Sequence, residues 1–530
     1  MRGGLVVCGA SSDAGKSWVV AGLCRLLARR GVSVAPFKAQ NMALNASVTA
    51  GGAEIGHAQW VQSVAALVEP EAAMNPVLLK PTGERTSQVI VLGRPVGVRT
   101  AAEYQDDKPK LFEVALDALA DLRSRFDVVI CEGAGSAAEI NLLDRDITNL
   151  RLAAAAGLPA VVVGDIDRGG VFASLYGTVA LLPDDLRATV RGFVVNRRRG
   201  DPALLADACG DLERRCGVRT LGVIPMVPGT DLDAEDSLAL DRWETAGTSS
   251  GADDQVLDVA VVRLPRMANF GDLDPLRLEP NVAVRWVRSR RDLGRPDLVV
   301  LPGSKSTVED LAWLRATGLA DALATGDVAV VAICAGLQMT GTRLHDPDGV
   351  EAAAGTTEGL GLVPVATRFG PGKVLDRPSG AVLEGPGAGG RFGGYRIHAG
   401  RIEAAADAVA WLRADDGEVL GWRTDRVLGT SLHALFEDDG LRAAVLAWAA
   451  SRVGITPPAD PALSFEAERQ ARLDRIADTL EAHLDLDALF SIIDQGDPAH
   501  RGDARLGDWR HRIVDDSVPK PPPLREPAAQ

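Results

Sequence analysis

An apolar run at residues 5–8 passes directly into Gly9-Ala10-Ser11-Ser12-Asp13-Ala14-Gly15-Lys16-Ser17, and then into a helix-forming stretch that Gly31 closes. No other feature of the chain restricts its fold as tightly. A strand apolar on both parities is buried on both faces, as in parallel sheets, and a strand, glycine-bearing loop, Lys-Ser pair and helix in that order form a phosphate cradle. Backbone N–H groups of Ser11, Ser12, Asp13, Ala14 and Gly15 face the phosphates, Lys16 bridges them, and the Ser17 hydroxyl serves magnesium. The loop is irregular. Five residues separate Gly9 from Gly15 where the strict pattern has four, and Ala10 stands where a first glycine is usual.

Further buried-strand runs at 127–131, 160–164, 192–195 and 221–224 alternate with helical stretches at 16–30 and 110–125. This predicts a doubly wound α/β layout with ligands at the carboxyl ends of the strands. Chemistry-bearing residues stand at those ends. Glu132 follows one strand in Cys131-Glu132-Gly133-Ala134-Gly135, and Asp165, Asp167 and Arg168 follow another. Glu132 and Asp165 are expected to join Ser17 at magnesium, with Asp167 and Arg168 near phosphate or substrate. Lys38, Gln40 and Asn41 close the second strand on the same rim, Lys38 being assigned to ATP.

A small polar stretch at 245–255 reads as a linker, dividing an ATP-binding unit at 1–244 from a second α/β unit at 256–453. Within the second unit, 256–263, 298–301 and 328–333 repeat the buried-strand pattern. Residues 464–493 carry apolar positions at helical spacing and are expected to dock as a C-terminal helix, within an extension at 454–494. The Pro-rich tail from 495 is expected to be disordered. The strand at 328–333 ends at Cys334, with Ala332 and Gly336 small enough for a tight strand-to-helix elbow and a helix expected from Leu337. Such an elbow exposes a nucleophile and offers the next N–H, that of Ala335, to an oxyanion. Among seven histidines, His433 at the end of another strand is the best partner base and His398 the second; His57, His345, His483, His500 and His511 lack such a setting.

Composition narrows the field. With 530 residues the chain needs two or three domains, and its formal net charge of -15 repels polyanions, which argues against nucleic acid or an anionic membrane as partner. No apolar run reaches transmembrane length and the start lacks a signal-peptide core, so a cytoplasmic location is expected. The six cysteines show no metal-ligand spacing. Lysine is scarce: Lys16, Lys38, Lys80, Lys108, Lys110, Lys305, Lys373 and Lys520 are the full set. Several of these lie inside the motifs, where a compact ammonium is not replaced by guanidinium.

Between the two chemistries lie Pro36-Phe-Lys38-Ala-Gln40-Asn41-Met-Ala-Leu-Asn45, Met74-Asn75-Pro76-Val-Leu-Leu-Lys80-Pro81, Ser87-Gln88-Val-Ile90, Glu132-Gly-Ala-Gly-Ser136, Glu139-Ile-Asn141-Leu142 and Gly164-Asp165-Ile-Asp167-Arg168. Together these resemble the cobyric acid synthase family of glutamine-dependent corrinoid amidotransferases, over about residues 4–493; the phosphate loop alone is also similar to that of dethiobiotin synthetase. The resemblance implies a phosphate-loop domain joined to a class I glutamine amidotransferase-like domain. It further implies that ATP and magnesium activate the b, d, e and g carboxylates of adenosylcobyrinic acid a,c-diamide for amidation, with ammonia drawn from glutamine. Cys334 is then the nucleophile, His433 its partner and Gly303 a further oxyanion donor, with Gln40, Asn41, Glu139, Asn141, Asp167 and Arg168 near the acceptor. Three positions depart from what class I or this family usually shows: Leu435 stands where class I triads place a glutamate, and Ala335 and Ala434 replace glycines. Two rivals share parts of the pattern. Cobyrinic acid a,c-diamide synthase is disfavoured by the segments around Lys38–Asn41 and Glu139–Asn141, and a partitioning-type ATPase by the lack of an early second lysine in the loop.

Overall fold

The computed structural model describes residues 1–83, 85–232, 256–456 and 463–496. The expected linker at 245–255 and all but the first two residues of the expected tail lie outside the described residues. The first unit is built on six parallel strands in the order Arg219–Pro225, Val190–Arg198, Ala160–Asp165, Gly3–Gly9, Val128–Glu132, Val34–Phe37. Every residue of the central strand Gly3–Gly9 is buried, as its two-parity apolar pattern requires. The chain winds first to one side of that strand and then to the other. Gly9 therefore sits at the topological switch point, where a doubly wound sheet opens a crevice.

Between Val34–Phe37 and Val128–Glu132 the chain builds something the sequence patterns did not foretell. Short strands Gln40–Met42, Val77–Pro81, Thr86–Val91 and Arg94–Thr100 form a separate four-stranded sheet, and Ala46–Val48 pairs antiparallel with Glu54–Gly56. These strands are short or mixed in polarity, and their apolar runs, Val77-Leu78-Leu79 and Val89-Ile90-Val91, are too brief for periodicity to mark them. The next helix also differs from expectation. It runs from Ala101 to Arg125, not from Lys110, and passes through Pro109 because a capping box between Thr100 and Glu103 starts it a turn and more earlier.

The second unit carries a nine-stranded sheet in the order Val282–Val287, Leu257–Val262, Leu298–Leu301, Ala329–Ile333, Val427–Thr430, Val419–Arg423, Val409–Ala414, Ser379–Val382, Arg391–Gly393. Its first five strands are parallel and the rest antiparallel. A four-stranded sheet containing Val365–Asp376 and Arg396–Ala404 flanks it. Cys334 and His433 each follow one of two adjacent parallel strands, Ala329–Ile333 and Val427–Thr430, at the carboxyl edge.

The expected single C-terminal helix is two, Phe465–His483 and Leu486–Asp494. The break has a cause: Leu484 leaves the helical path to bridge Gly222, and Asp485 caps the second helix by accepting from Ala488 N–H at 3.0 Å. Phe465–His483 lies along the phosphate-loop helix Lys16–Arg29, adding Leu473 and Leu480 to a core that contains Val19 and Leu23. Four ion pairs line the seam among the described residues, Arg25–Asp474, Arg29–Asp474, Arg29–Asp478 and Arg30–Glu481. No helix among the described residues is long and apolar enough to cross a membrane.

Gly22 marks the closest approach, since a Cβ there would lie 2.5 Å from Leu480 Cδ1 and 2.7 Å from Ile476 Cγ2. Gly22→Leu is expected to pry the two helices apart and cost about 1–3 kcal/mol, the usual range for overpacking. Urea unfolding followed by circular dichroism checks this through a lowered midpoint at unchanged slope.

Candidate active sites at two strand edges

At the first edge the loop closes on itself. Lys16, only 7% exposed, directs Nζ at the carbonyls of Ser11 (3.2 Å) and Gly135 (2.9 Å), occupying the concavity that a Cβ on Gly9 would fill. Gly15 adopts φ 94° at the helix start, and a Cβ there would fall 2.1 Å from Asn196 Nδ2. Glycine at 15 is thus fixed by backbone conformation and by contact alike. Ser17 Oγ and Lys38 Nζ both donate to Glu132 Oε1 at 2.8 Å, while Gln62 Nε2 donates to Oε2 at 2.5 Å. A hydroxyl beside a carboxylate is a hard-oxygen donor set that suits magnesium.

Asp165 is placed differently from expectation. Arg197 and Arg168 reach its Oδ2 at 2.8 and 3.3 Å, and its Oδ1 accepts from Asp167 N–H, so it anchors an arginine cage instead of standing with Ser17 and Glu132. The same two arginines hold Asp13 in the loop, which carries a left-handed φ of 57°. Asp167 pairs with Arg199 at 2.6 Å. Gln40 accepts from Tyr104 OH at 2.5 Å, and Asn41 is buried and donates to Gln59. Asn41 therefore belongs to the polar network beneath the rim. Glu139 and Asn141 lie on an exposed turn beside the loop.

At the second edge Cys334 takes φ 53°, ψ −107° between strand Ala329–Ile333 and helix Ala335–Thr340, which begins two residues earlier than expected. A non-glycine residue held there stores on the order of 1–3 kcal/mol of strain and needs surroundings that enforce it. They do: Cys334 N–H donates to Thr430 O at 2.7 Å, and a Cβ on Gly336 would lie 2.1 Å from Leu301 O. Ala335 opens the helix, so its N–H lies outside the helical ladder. Gly303 packs against the base, its virtual Cβ 3.0 Å from His433 Cε1.

His433 is 1% exposed and its Nδ1 lies 2.7 Å from Asp272 Oδ2, while Asp272 Oδ1 accepts from Ala434 N–H at 2.6 Å. Here is the acid missing from position 435. Leu435 is fully buried among apolar neighbours, and the carboxylate comes instead from the short 3₁₀ turn Phe270–Leu273. Burial opposes a charge on His433, yet the charge of Asp272 first and that of Cys334 second outweigh it and raise the imidazole to about 10. Tyr395 stacks on the ring at 5.3 Å. Ala434 has φ 64°, the conformation that glycine adopts without strain, so alanine is tolerated here at a local cost. His398, the second candidate, is held differently: burial lowers it to about 4, and its Nδ1 lies 2.6 Å from Gly400 O.

Cys334 and His433 open into a cavity of about 150 Å³, shared with Lys305, Glu351 and Lys373 of the second unit and with Lys80 and Gln88 of the first. Lys80 and Lys373 each approach Glu54 at 2.8 Å. The thiol pocket therefore lies on the seam between the units.

Residues 5–238 match the CobQ/CobB/MinD/ParA nucleotide binding domain, and residues 258–441 the CobB/CobQ-like glutamine amidotransferase domain. Over 94% of its length the chain is 49% identical to the cobyric acid synthase of Frankia casuarinae and 48% identical to that of Streptomyces coelicolor, each covered to 98%. The Mycolicibacterium gilvum cobyric acid synthase is similar at 48% over 93% of this chain and 97% of its own.

Because Asp272 favours the charged imidazolium, Asp272→Asn is expected to drop His433 from about 10 toward the ordinary 6.5. The raised value stabilises the fold fully below about pH 6.5, and this contribution is lost as the pH rises through 10. NMR titration of ¹³C-labelled imidazoles checks the shift. The stability gap between the two proteins, measured by urea unfolding, is expected to close as the pH rises toward 10.

Proposed function

The chain belongs to the cobyric acid synthase family, and we propose that it amidates the b, d, e and g carboxylates of adenosylcobyrinic acid a,c-diamide, using ATP and ammonia released from glutamine. Its first unit is a doubly wound phosphate-loop domain and its second a class I glutamine amidotransferase-like α/β domain. One observation carries the reading. A Cys334–His433–Asp272 triad and a Lys16–Ser17–Glu132 cluster lie at strand edges of two units that share the thiol pocket.

In the second unit the Cys334 thiolate attacks the glutamine side-chain carbonyl, with the oxyanion facing the N–H groups of Ala335 and Gly303. His433, held charged by Asp272, gives its proton to the departing nitrogen, so ammonia leaves and a thioester remains. Water then attacks the thioester, His433 takes the proton, and glutamate departs with the thiol restored. In the first unit a corrin carboxylate attacks the γ-phosphorus of ATP, forming an acyl phosphate and ADP. Lys16 turns from the loop carbonyls to the phosphate oxygens and offsets their charge. Magnesium, held by Ser17 and Glu132, would supply further neutralisation of phosphate charge. Ammonia attacks the acyl carbon, phosphate leaves, and the amide is formed. The enzyme is thus a glutamine-hydrolysing carbon–nitrogen ligase, working in the cytoplasm on small-molecule substrates.

Cys334→Ala is expected to lose glutamine-dependent amidation and keep amidation with ammonium salts, because only donor hydrolysis needs the thiol. Equal loss with both donors overturns the scheme. Lys16→Ala is expected to abolish amidation with either donor; a mass-spectrometric count of amides added to the corrinoid reads both outcomes.

A further inference from the structure

The turn that carries Asp272 is gripped from the other unit. Phe270 N–H donates to Asn45 Oδ1 at 3.1 Å, and Ala46 N–H donates to Asn269 Oδ1 at 3.0 Å. Asn45 and Asn269 are 1% and 5% exposed, so the two bonds form a reciprocal buried clasp across the seam. Asn269 sits at φ 56°, ψ 41°, the left-handed conformation that asparagine tolerates, and this turns the chain sharply into Phe270–Leu273. Asp272 N–H donates back to Asn269 O at 3.2 Å. From the clasp to His433 the connection is therefore two hydrogen bonds long.

A second link runs from the same hairpin toward that ring, by way of Tyr395. Ser47 lies against Tyr395, which stacks on His433, and Ser47 Oγ lies 3.0 Å from His57 Nδ1. Asn45 and Ala46 thus hold the turn that carries the acid, and Ser47 lies against the stacking partner of the base.

In the opposite direction Asn45 is tied to the phosphate site. Six residues separate it from Lys38, whose ammonium meets Glu132 at 2.8 Å. A side-chain relay runs parallel to that segment, Asn41 to Gln59 at 3.1 Å, Gln59 to Gln62 at 3.4 Å and Gln62 to Glu132 at 2.5 Å. All four side chains are buried, and Gly56 leaves room for them, since a Cβ there would fall 2.7 Å from Asn41 Nδ2. Such a network holds one geometry, because none of its members can exchange its partner for water.

We propose that the Asn45–Asn269 clasp lets the ATP-binding unit position Asp272, and through it His433, so that glutamine hydrolysis is set by the unit that consumes the ammonia. This rests on the triad and donor chemistry proposed above. Asn45 and Asn269 are positioning residues. They touch no substrate, and their contribution is to the orientation of the base, which acts on the turnover step more than on the capture of glutamine.

The test compares the full-length chain with Asn45→Ala and Asn269→Gly, the latter removing the amide while keeping a residue suited to the left-handed turn. Glutamate release and amidation are measured with glutamine and with ammonium chloride. Both variants are expected to lose on the order of 10- to 100-fold in kcat for glutamine, the scale of a misplaced catalytic group, with KM for glutamine held within about twofold. Amidation with ammonium chloride is expected to stay within about twofold of the unaltered chain. Unchanged kcat for glutamine in both variants overturns the proposal, and so does equal loss with both nitrogen donors or a rise confined to KM. Failure of the underlying reading looks different: the unaltered chain itself then shows no glutamine-dependent amidation.

Discussion

Glu54 has no exposed surface, and two ammonium groups converge on it, Lys80 from its own unit and Lys373 from the other. Burial alone would raise this carboxyl; the two lysines overcome that and hold it at about 2. A buried carboxylate satisfied from both sides does more to fix a geometry than to add stability, because a closed seam lacking any one of the three groups would hold a charge with neither partner nor water. The thiol cavity is lined by Lys80 and Lys373, and the hairpin that carries Glu54 also carries Asn45's neighbours. Both the pocket and the clasp therefore depend on this one arrangement of charge.

The parts that were legible in the sequence were those whose physics is local. Central strands apolar on both parities, a Lys-Ser pair at a helix start and small residues flanking a strand-terminal cysteine each leave a mark within about ten positions. Asp272 leaves none. A triad is a spatial arrangement, and its acid is free to come from any segment that the fold brings to the edge. One signal pointed there, since Asn269-Phe270-Gly271-Asp272 follows the carboxyl end of strand Leu257–Val262, the side of the sheet that already bears the cysteine and histidine. The short strands between Gln40 and Thr100 were equally silent, because they are stabilised by cross-strand pairing and by the seam, with little apolar periodicity of their own.

The scarcity of lysine acquires meaning in three dimensions. Lys16 and Lys38 serve the phosphate edge, and Lys80, Lys305 and Lys373 surround the thiol cavity. Arginine performs the scaffolding elsewhere, in the cage around Asp13 and Asp165 and along the C-terminal seam. The division follows from shape: a planar fork suits fixed carboxylates, while an ammonium on a flexible stem can swing between loop carbonyls and an arriving anion.

The return of helix Phe465–His483 to the helix Lys16–Arg29 also orders events in time. Leu473, Leu480, Leu489 and Ile493 complete a core whose other members, Leu5, Val7, Val19 and Leu23, leave the ribosome first. Until residues 465–493 have been made, that apolar face has no cover. The core of the ATP-binding unit is thus closed by residues that follow the whole second unit in sequence, and a chain that stops short of them leaves an apolar surface exposed, the condition that favours aggregation.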